Sequence, residues 1–265
     1  MSGGAVTVGI LGLGRIGTRL VRLLAGAGDG LRVAAILARR DAGEVPRDLV
    51  CADWDAFLAR KPDIVVECAS RETLADLGPK LLAAGIDLVP LSLTAFCDPA
   101  VEASLTQAAA HGPGRLEIPP GAIGTLDLLA AAREAGLASV VYRQSKSVAA
   151  WRVSPAATLV DLDAIAARSV FLAGSVREIA AKFPNNLNVS VGVALAGLGL
   201  DRTRVELVAD PAATATTHTL EIVADPGTAS LKIGGRAVPP GGDPADYTTY
   251  SLMRVLRRRV ARVAF

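Results

Sequence analysis

A chain of 265 residues with 51% hydrophobic and 20% charged residues is globular in composition, long enough for one large or two modest domains, and not a disordered polymer. Its 28 Lys and Arg against 26 Asp and Glu leave a net charge of +2, which argues against nucleic acid as a partner. Three cysteines (Cys51, Cys68, Cys97) without CxxC spacing, two histidines and no long unbroken apolar stretch argue against a disulfide framework, a metal site and a membrane span. With no charged-then-apolar leader in view, the expected setting is cytoplasmic.

The first element is an apolar run over 5–11 that predicts a strand, and a helical pattern over 18–24 follows it. Between them stands Gly12-Leu13-Gly14-Arg15-Ile16-Gly17. A GxGxxG in a strand–turn–helix setting is a dinucleotide-binding fingerprint. Gly12 serves the tight turn, Gly14 the close approach of a pyrophosphate, and Gly17 the packing of helix on strand. The helix N-terminus then offers N–H groups and a positive dipole end to the phosphates.

The next strand, 31–37, runs into Ala38-Arg39-Arg40-Asp41. About 20 residues past the glycines an Asp or Glu ordinarily holds the ribose hydroxyls of NAD. Here two guanidiniums stand at the strand end, and their planar forks suit a 2′-phosphate. NADP is therefore the expected cofactor. If the strand ends later, Asp41 is the ribose ligand, the arginines are ordinary loop residues and NAD serves.

Strand 63–69, helix 74–84, strand 86–91, helix 101–110 and strand 115–118 continue the alternation. This is the pattern of an α/β, Rossmann-type doubly wound parallel sheet with helices on both faces. Ala69 and Ser70, at the end of the strand over 63–69, are expected to touch the cofactor. Pro119-Pro120-Gly121 marks a change of character. Beyond it come helices over 126–135, 175–182 and 189–198, and strands over 139–143, 204–209, 217–223 and 229–233. Fewer crossovers between strands predict a second, smaller α+β domain on a mixed or antiparallel sheet. The expected domains are 1–120, binding dinucleotide, and 121–244, carrying substrate and dimerisation. After a Gly/Pro loop at 238–244, a helix over 247–263 is expected to return, so that 245–265 packs on the first domain. Its arginines, Arg254, Arg257, Arg258, Arg259 and Arg262, read as a solvated face or a cofactor-side surface.

Three stretches of the second domain carry chemistry. Gly121-Ala122-Ile123-Gly124 is a Gly-bounded turn at the domain junction, either a hinge or a ligand contact. Phe183-Pro184-Asn185-Asn186-Leu187-Asn188 holds three asparagines within four residues. Helix capping explains one, and at least one more is placed to hydrogen-bond a carboxamide or an amino-acid substrate. His218 lies on a strand whose alternation puts Thr216, His218 and Leu220 on one face. A strand histidine is commonly structural. His111, the other imidazole, sits at a helix end in a Gly/Pro loop, so His218 is the better candidate for proton transfer near neutral pH.

These stretches, together with Gly174-Ser175-Val176-Arg177-Glu178, Ala194-Leu195-Ala196-Gly197 with Asp201 and Thr203, and Ala209-Asp210-Pro211 ahead of His218, resemble the L-aspartate dehydrogenase family in order and spacing over nearly the whole chain. The resemblance implies a Rossmann domain with a smaller α/β domain, often as a homodimer. It also implies reversible NAD(P)-dependent oxidation of L-aspartate to iminoaspartate, which yields oxaloacetate and ammonia or feeds NAD biosynthesis. By position, Ala122 and Asn188 match the family's cofactor contacts and His218 its catalytic histidine. Ser92, Lys146, Asn186 and Thr248 are the candidate substrate contacts, with Arg143 a further cation.

Three departures stand out. The family's Asn-Pro-Lys-Thr-Ser before the last helix is here the Lys-free stretch Asp243-Pro244-Ala245-Asp246-Tyr247-Thr248-Thr249, shorter by about two residues. The family's Asn two residues before the histidine is Thr216, and its Ser-x-Gly-Ala turn reads Ser92-Leu93-Thr94-Ala95. Loss of a cation and gain of Asp246 disfavour a dicarboxylate if that loop lines the pocket. A different amino acid, a non-amino substrate, or a non-catalytic NADP-binding protein are the alternatives.

Overall fold

The computed structural model describes residues 5–28, 30–39, 45–184, 187–237 and 247–263. The chain divides into two units, Met1–Ala122 with Tyr247–Phe265, and Ile123–Asp246.

The first unit runs β1 (Val6–Leu11), α1 (Arg15–Ala25), β2 (Leu31–Leu37), β3 (Val50–Cys51), α2 (Trp54–Ala59), β4 (Ile64–Glu67), α3 (Arg71–Ala83), β5 (Asp87–Pro90) and α4 (Pro99–His111). Its sheet has the order β3-β2-β1-β4-β5, and every neighbouring pair is parallel. Continuous apolar runs such as Ile64-Val65-Val66 suit strands covered on both faces, and all three residues are buried. The helices begin where side chains or proline allow. Asp53, Ser70 and Asp98 accept first-turn N–H groups of α2, α3 and α4, and Pro99 stands at the start of α4, where no N–H is needed.

The stretch 115–118 is not a strand: Leu116 makes a single parallel bridge to Leu88. Prolines at 113, 119 and 120 flank it, and none can donate to a ladder, so the pairing cannot extend. Residues 50–59, unassigned in the sequence reading, form β3 and α2. Both are too short to show a hydrophobic period.

The last helix, α10 (Tyr247–Arg258), belongs to this unit. Leu252, Met253, Val255 and Leu256 are buried in the same core as Val8 and Ile10 of β1 and Leu20, Val21 and Leu24 of α1. Just beyond it, Arg259 donates to Asp87 at 2.5 Å and to Glu117 at 2.8 Å. This corrects the reading of the terminal arginines as one solvated face. Arg259 ties the end of α10 to the start of β5 through an ion pair that is largely shielded from water.

The second unit contains α5 (Leu126–Glu134), β6 (Leu137–Lys146), α6 (Val148–Arg152), α7 (Ala156–Leu159), β7 (Ser169–Ser175), α8 (Val176–Lys182), α9 (Asn188–Ala196), β8 (Arg204–Ala209), β9 (Thr217–Ala224) and β10 (Gly227–Gly234). The sheet order is β10-β9-β6-β8-β7; β6 and β8 are parallel and the other pairs antiparallel, so the sheet is mixed. The edge strand β7 and the short helices α6 and α7 lie in a region without clear periodicity and escape the sequence reading. A full capping box starts α8: the Ser175 hydroxyl accepts the Glu178 N–H while the Glu178 carboxylate accepts the Ser175 N–H. The motif around Gly174 and Ser175 therefore has a local structural cause. No described helix is long and apolar enough to cross a membrane.

Candidate active site

In the first unit the parallel strands bring their carboxyl ends to one edge. Leu11 pairs with Leu37 and with Glu67, and Glu67 with Pro90. Gly12, Ala38-Arg39, Cys68-Ala69-Ser70 and Leu91-Ser92 leave the sheet side by side. The strand order reverses between β1 and β4, and such a switch point is where open α/β sheets bind ligands.

Gly12 has φ +93°, and a Cβ there would stand 2.7 Å from the Ala69 Cα. A Cβ on Gly17 would stand 2.2 Å from the Gly12 carbonyl oxygen. Gly14 is the opposite case, with no described atom within 4 Å of where its Cβ would be. It is the N-cap of α1 and no side chain caps it, which leaves the first-turn N–H groups of a helix for a ligand. A tight turn, a close helix and an uncovered N-terminus fit the pyrophosphate of a dinucleotide. Arg15 is exposed in that first turn, and Ile16 is half-buried against the core.

Arg39 is exposed two residues past β2. The Glu72 carboxyl is held below its ordinary range by its own backbone N–H and the Ser70 hydroxyl, with smaller help from Arg71 and Arg39. That influence places Arg39 within electrostatic reach of the start of α3. Arg40 and Asp41 lie outside the described residues. Ser70 caps α3, accepting from the Thr73 N–H at 3.2 Å.

One residue of this edge was missed by the sequence reading. Glu67, fully buried, accepts the Ala69 N–H at 2.7 Å, the Ser92 N–H at 3.0 Å and the Ser92 hydroxyl at 2.8 Å. Burial raises its pKa, and the bonds from Ser92, Ala69 and Leu91 partly offset the rise. It joins the segments following β4 and β5. The Ser92 hydroxyl, a candidate substrate contact, donates to this carboxylate. A carboxylate closing an otherwise apolar strand was the available signal. Beside it, the Cys68 thiol donates to the Gly12 carbonyl at 3.5 Å, and burial pushes its pKa up, so it stays a neutral thiol.

In the second unit, His218 of β9 is cross-strand partner to Gln144 of β6. Residues two apart on a strand share a face, so Tyr142, Gln144 and Lys146 line the face that carries His218. The Tyr142 hydroxyl is hydrogen-bonded to His218 Nδ1 at 2.6 Å, with the rings 6.0 Å apart and 26° from parallel. Tyr142 is 1% exposed, and burial raises its pKa. Nothing in the local sequence marked it, because only the β6–β9 register sets the two rings together.

Lys146 Nζ lies 4.7 Å from the centre of the Trp151 ring, a cation–π distance, and burial lowers its pKa. Arg143 points to the opposite face, where it is ion-paired with Glu206 and Glu221. Between the two cations considered for a substrate carboxylate, Lys146 is therefore the one on the sheet face that carries His218. His111 is exposed at the end of α4, with Nδ1 3.0 Å from the Gln107 carbonyl.

Ala122 is buried between Gly121 at φ +57° and Gly124 at φ +71°. Asn188 is the half-buried first residue of α9. Thr248 falls in the first turn of α10, within the first unit, and its carbonyl accepts the Ser251 hydroxyl at 2.8 Å. Asn185, Asn186 and the stretch 238–246, with Asp243 and Asp246, lie outside the described residues. Among the described residues no group of three or more His, Cys, Asp or Glu is placed to hold a metal ion.

A parallel unit with a tight glycine turn and an uncapped helix start at its switch point, joined to a mixed-sheet unit bearing a hydrogen-bonded imidazole, is the architecture of a nicotinamide-dinucleotide oxidoreductase. The first unit matches the homoserine dehydrogenase NAD-binding domain over residues 12–119, and the aspartate dehydrogenase C-terminal domain matches over 127–259. L-aspartate dehydrogenase 1 of Bordetella pertussis is 42% identical over 214 residues, 80% of each chain. L-aspartate dehydrogenase of Brucella anthropi is 38% identical over 259 residues, 96% of this chain and 97% of its own. The crystal structure of aspartate dehydrogenase from Thermotoga maritima superposes with a TM-score of 0.76 at 27% identity, covering 98% of this chain and 99% of that one. The chain belongs to the aspartate dehydrogenase family.

Proposed function

We propose that this chain is an NAD(P)-dependent L-aspartate dehydrogenase in which His218 is the acid/base and NADP the preferred cofactor. The observation that carries the reading is the end-to-end likeness to relatives whose own names specify L-aspartate. The glycine cradle supports it by fitting the dinucleotide that such a reaction requires.

The cofactor, when bound, accepts or returns the hydride of the substrate Cα. What the protein supplies is proton handling and placement. Oxidation of the amine to the imine releases a proton, and hydrolysis of the imine to oxaloacetate and ammonia needs water activated; His218 is suited to both. Lys146, cationic and partly desolvated over Trp151, is the candidate to hold a substrate carboxylate, with Asn186 and Thr248 as further contacts. Ala122 and Asn188 are assigned to the cofactor on the same reading, with Ala69 and Ser70. A homodimer and a cytoplasmic setting belong to it as well.

A screen of amino acids with NADP and NAD, and of keto acids with ammonium and the reduced cofactors, tests the assignment. Aspartate and oxaloacetate are expected to give the highest kcat/KM. Turnover with another amino acid alone would overturn the L-aspartate assignment. The NADP preference rests on Arg39 and Arg40. Replacing both with alanine is expected to weaken NADPH binding by about tenfold to a hundredfold, the scale of charge-assisted phosphate contacts, with NADH affinity little changed. Equal weakening of both cofactors, read by fluorescence titration, would remove the phosphate clamp from the account.

A further inference from the structure

We propose that Tyr142, whose hydroxyl lies 2.6 Å from His218 Nδ1, is a positioning residue that accepts the Nδ1–H and so assigns proton exchange to Nε2. This inference rests on the proposal that His218 is the acid/base.

An imidazole has two nitrogens, and only one can work on a substrate in a given orientation. Here Nδ1 lies 2.6 Å from the Tyr142 hydroxyl, too close to admit a substrate atom or water between them. The contact is built into the sheet. Tyr142 faces Leu220 across the β6–β9 ladder, and Gln144 faces His218, so the two rings meet along the diagonal between adjacent cross-strand pairs. Their near-parallel planes add ring contact to the hydrogen bond. Tyr142 is buried, so its ring has little freedom to leave.

The chemistry of the partner matters too. Burial keeps the phenol protonated, so it offers Nδ1 a neutral oxygen. A carboxylate in that place would favour the imidazolium strongly, whereas a neutral hydroxyl supports the charged and uncharged rings more evenly. If Nδ1 keeps its proton in both states, Nε2 alternates between lone pair and N–H, as an acid/base must. The competing arrangement has Tyr142 donating into Nδ1. That would put the proton of the neutral ring on Nε2 and deprive it of a basic lone pair.

Nitrogen-15 NMR of the full-length protein separates the two. The chain has two histidines, so the imidazole region holds two sets of signals, and those lost in His218→Gln belong to His218. At a pH where the ring is neutral, the expected proton position is Nδ1. In Tyr142→Phe the proton is expected to move towards Nε2, and kcat to fall about tenfold with KM for the cofactor unchanged. A neutral His218 protonated on Nε2 in the unaltered protein would overturn the inference, as would a tautomer unmoved by Tyr142→Phe. Should that variant fail to fold, the unaltered protein labelled with 3-fluorotyrosine provides the second measurement. A weaker acceptor at one of the three tyrosines must shift the Nδ1 resonance, and an unshifted resonance refutes the contact. The His218 reading fails separately, by full activity in His218→Gln, whatever the tautomer.

Discussion

Replacing His218 with alanine is expected to lower kcat by about a hundredfold to ten-thousandfold, the range lost with a general acid/base, while NADPH still binds. The separation follows from placement. His218 is on β9 of the second unit, whereas the proposed phosphate cradle draws on β1, α1 and the β4 end of the first. The variant also leaves the Tyr142 hydroxyl without its Nδ1 partner, at a stability cost of about 1–3 kcal/mol. A thermal melt must therefore accompany the rate measurement. Loss of turnover with an intact fold and an unchanged NADPH titration supports the role; unchanged kcat removes it.

Gly17→Ala is expected to damage both folding and cofactor affinity. The added methyl would meet the Gly12 carbonyl at 2.2 Å, and that oxygen is backbone, unable to swing aside as a side chain does. The Cys68 sulfur, at 3.1 Å, closes the other side. Either α1 shifts or the Gly12 turn deforms, and overpacking of this kind costs about 1–3 kcal/mol. A displaced turn moves the first-turn N–H groups proposed to bind the phosphates, so the Kd for the dinucleotide is expected to rise about tenfold or more. Gly14→Ala is the informative contrast. Its methyl meets no described atom within 4 Å and its φ of −74° suits alanine, so the fold should hold. If the space beside Gly14 is where a pyrophosphate lies, affinity falls nonetheless. A melt with a cofactor titration on both variants distinguishes them, and unchanged affinity in both would remove the cradle from the binding site.

The local features of the chain were legible in one dimension. The strand–turn–helix at Gly12 to Gly17, the alternation through the helix ending at His111 and the strand holding His218 all appear where the residue pattern puts them. Each is set by neighbours a few positions apart: an apolar run, a missing Cβ, a hydroxyl or carboxylate before a helix. What lacked such a signal was missed. α2 is short, β7 lies in a stretch without clear periodicity, and the 115–118 segment, with prolines on both sides, makes only a single bridge.

The electrostatic environment of the site belongs to the other category. Arg143 and Lys146 stand three residues apart and read alike as cations. Strand alternation sends one to a face where Glu206 and Glu221 neutralise it, and the other to the face of His218, over Trp151. Ser92 donates its hydroxyl and its N–H to Glu67, 25 positions away. Arg259, in a run of arginines that reads as a solvated face, is paired with Asp87, 172 positions away. The cofactor fingerprint and the candidate imidazole could thus be read along the chain, because close backbone geometry and residue chemistry define them. Which polar groups were already paired, and which nitrogen of that imidazole was occupied, depended on strand register and burial. These bring together residues that no spacing along the chain connects.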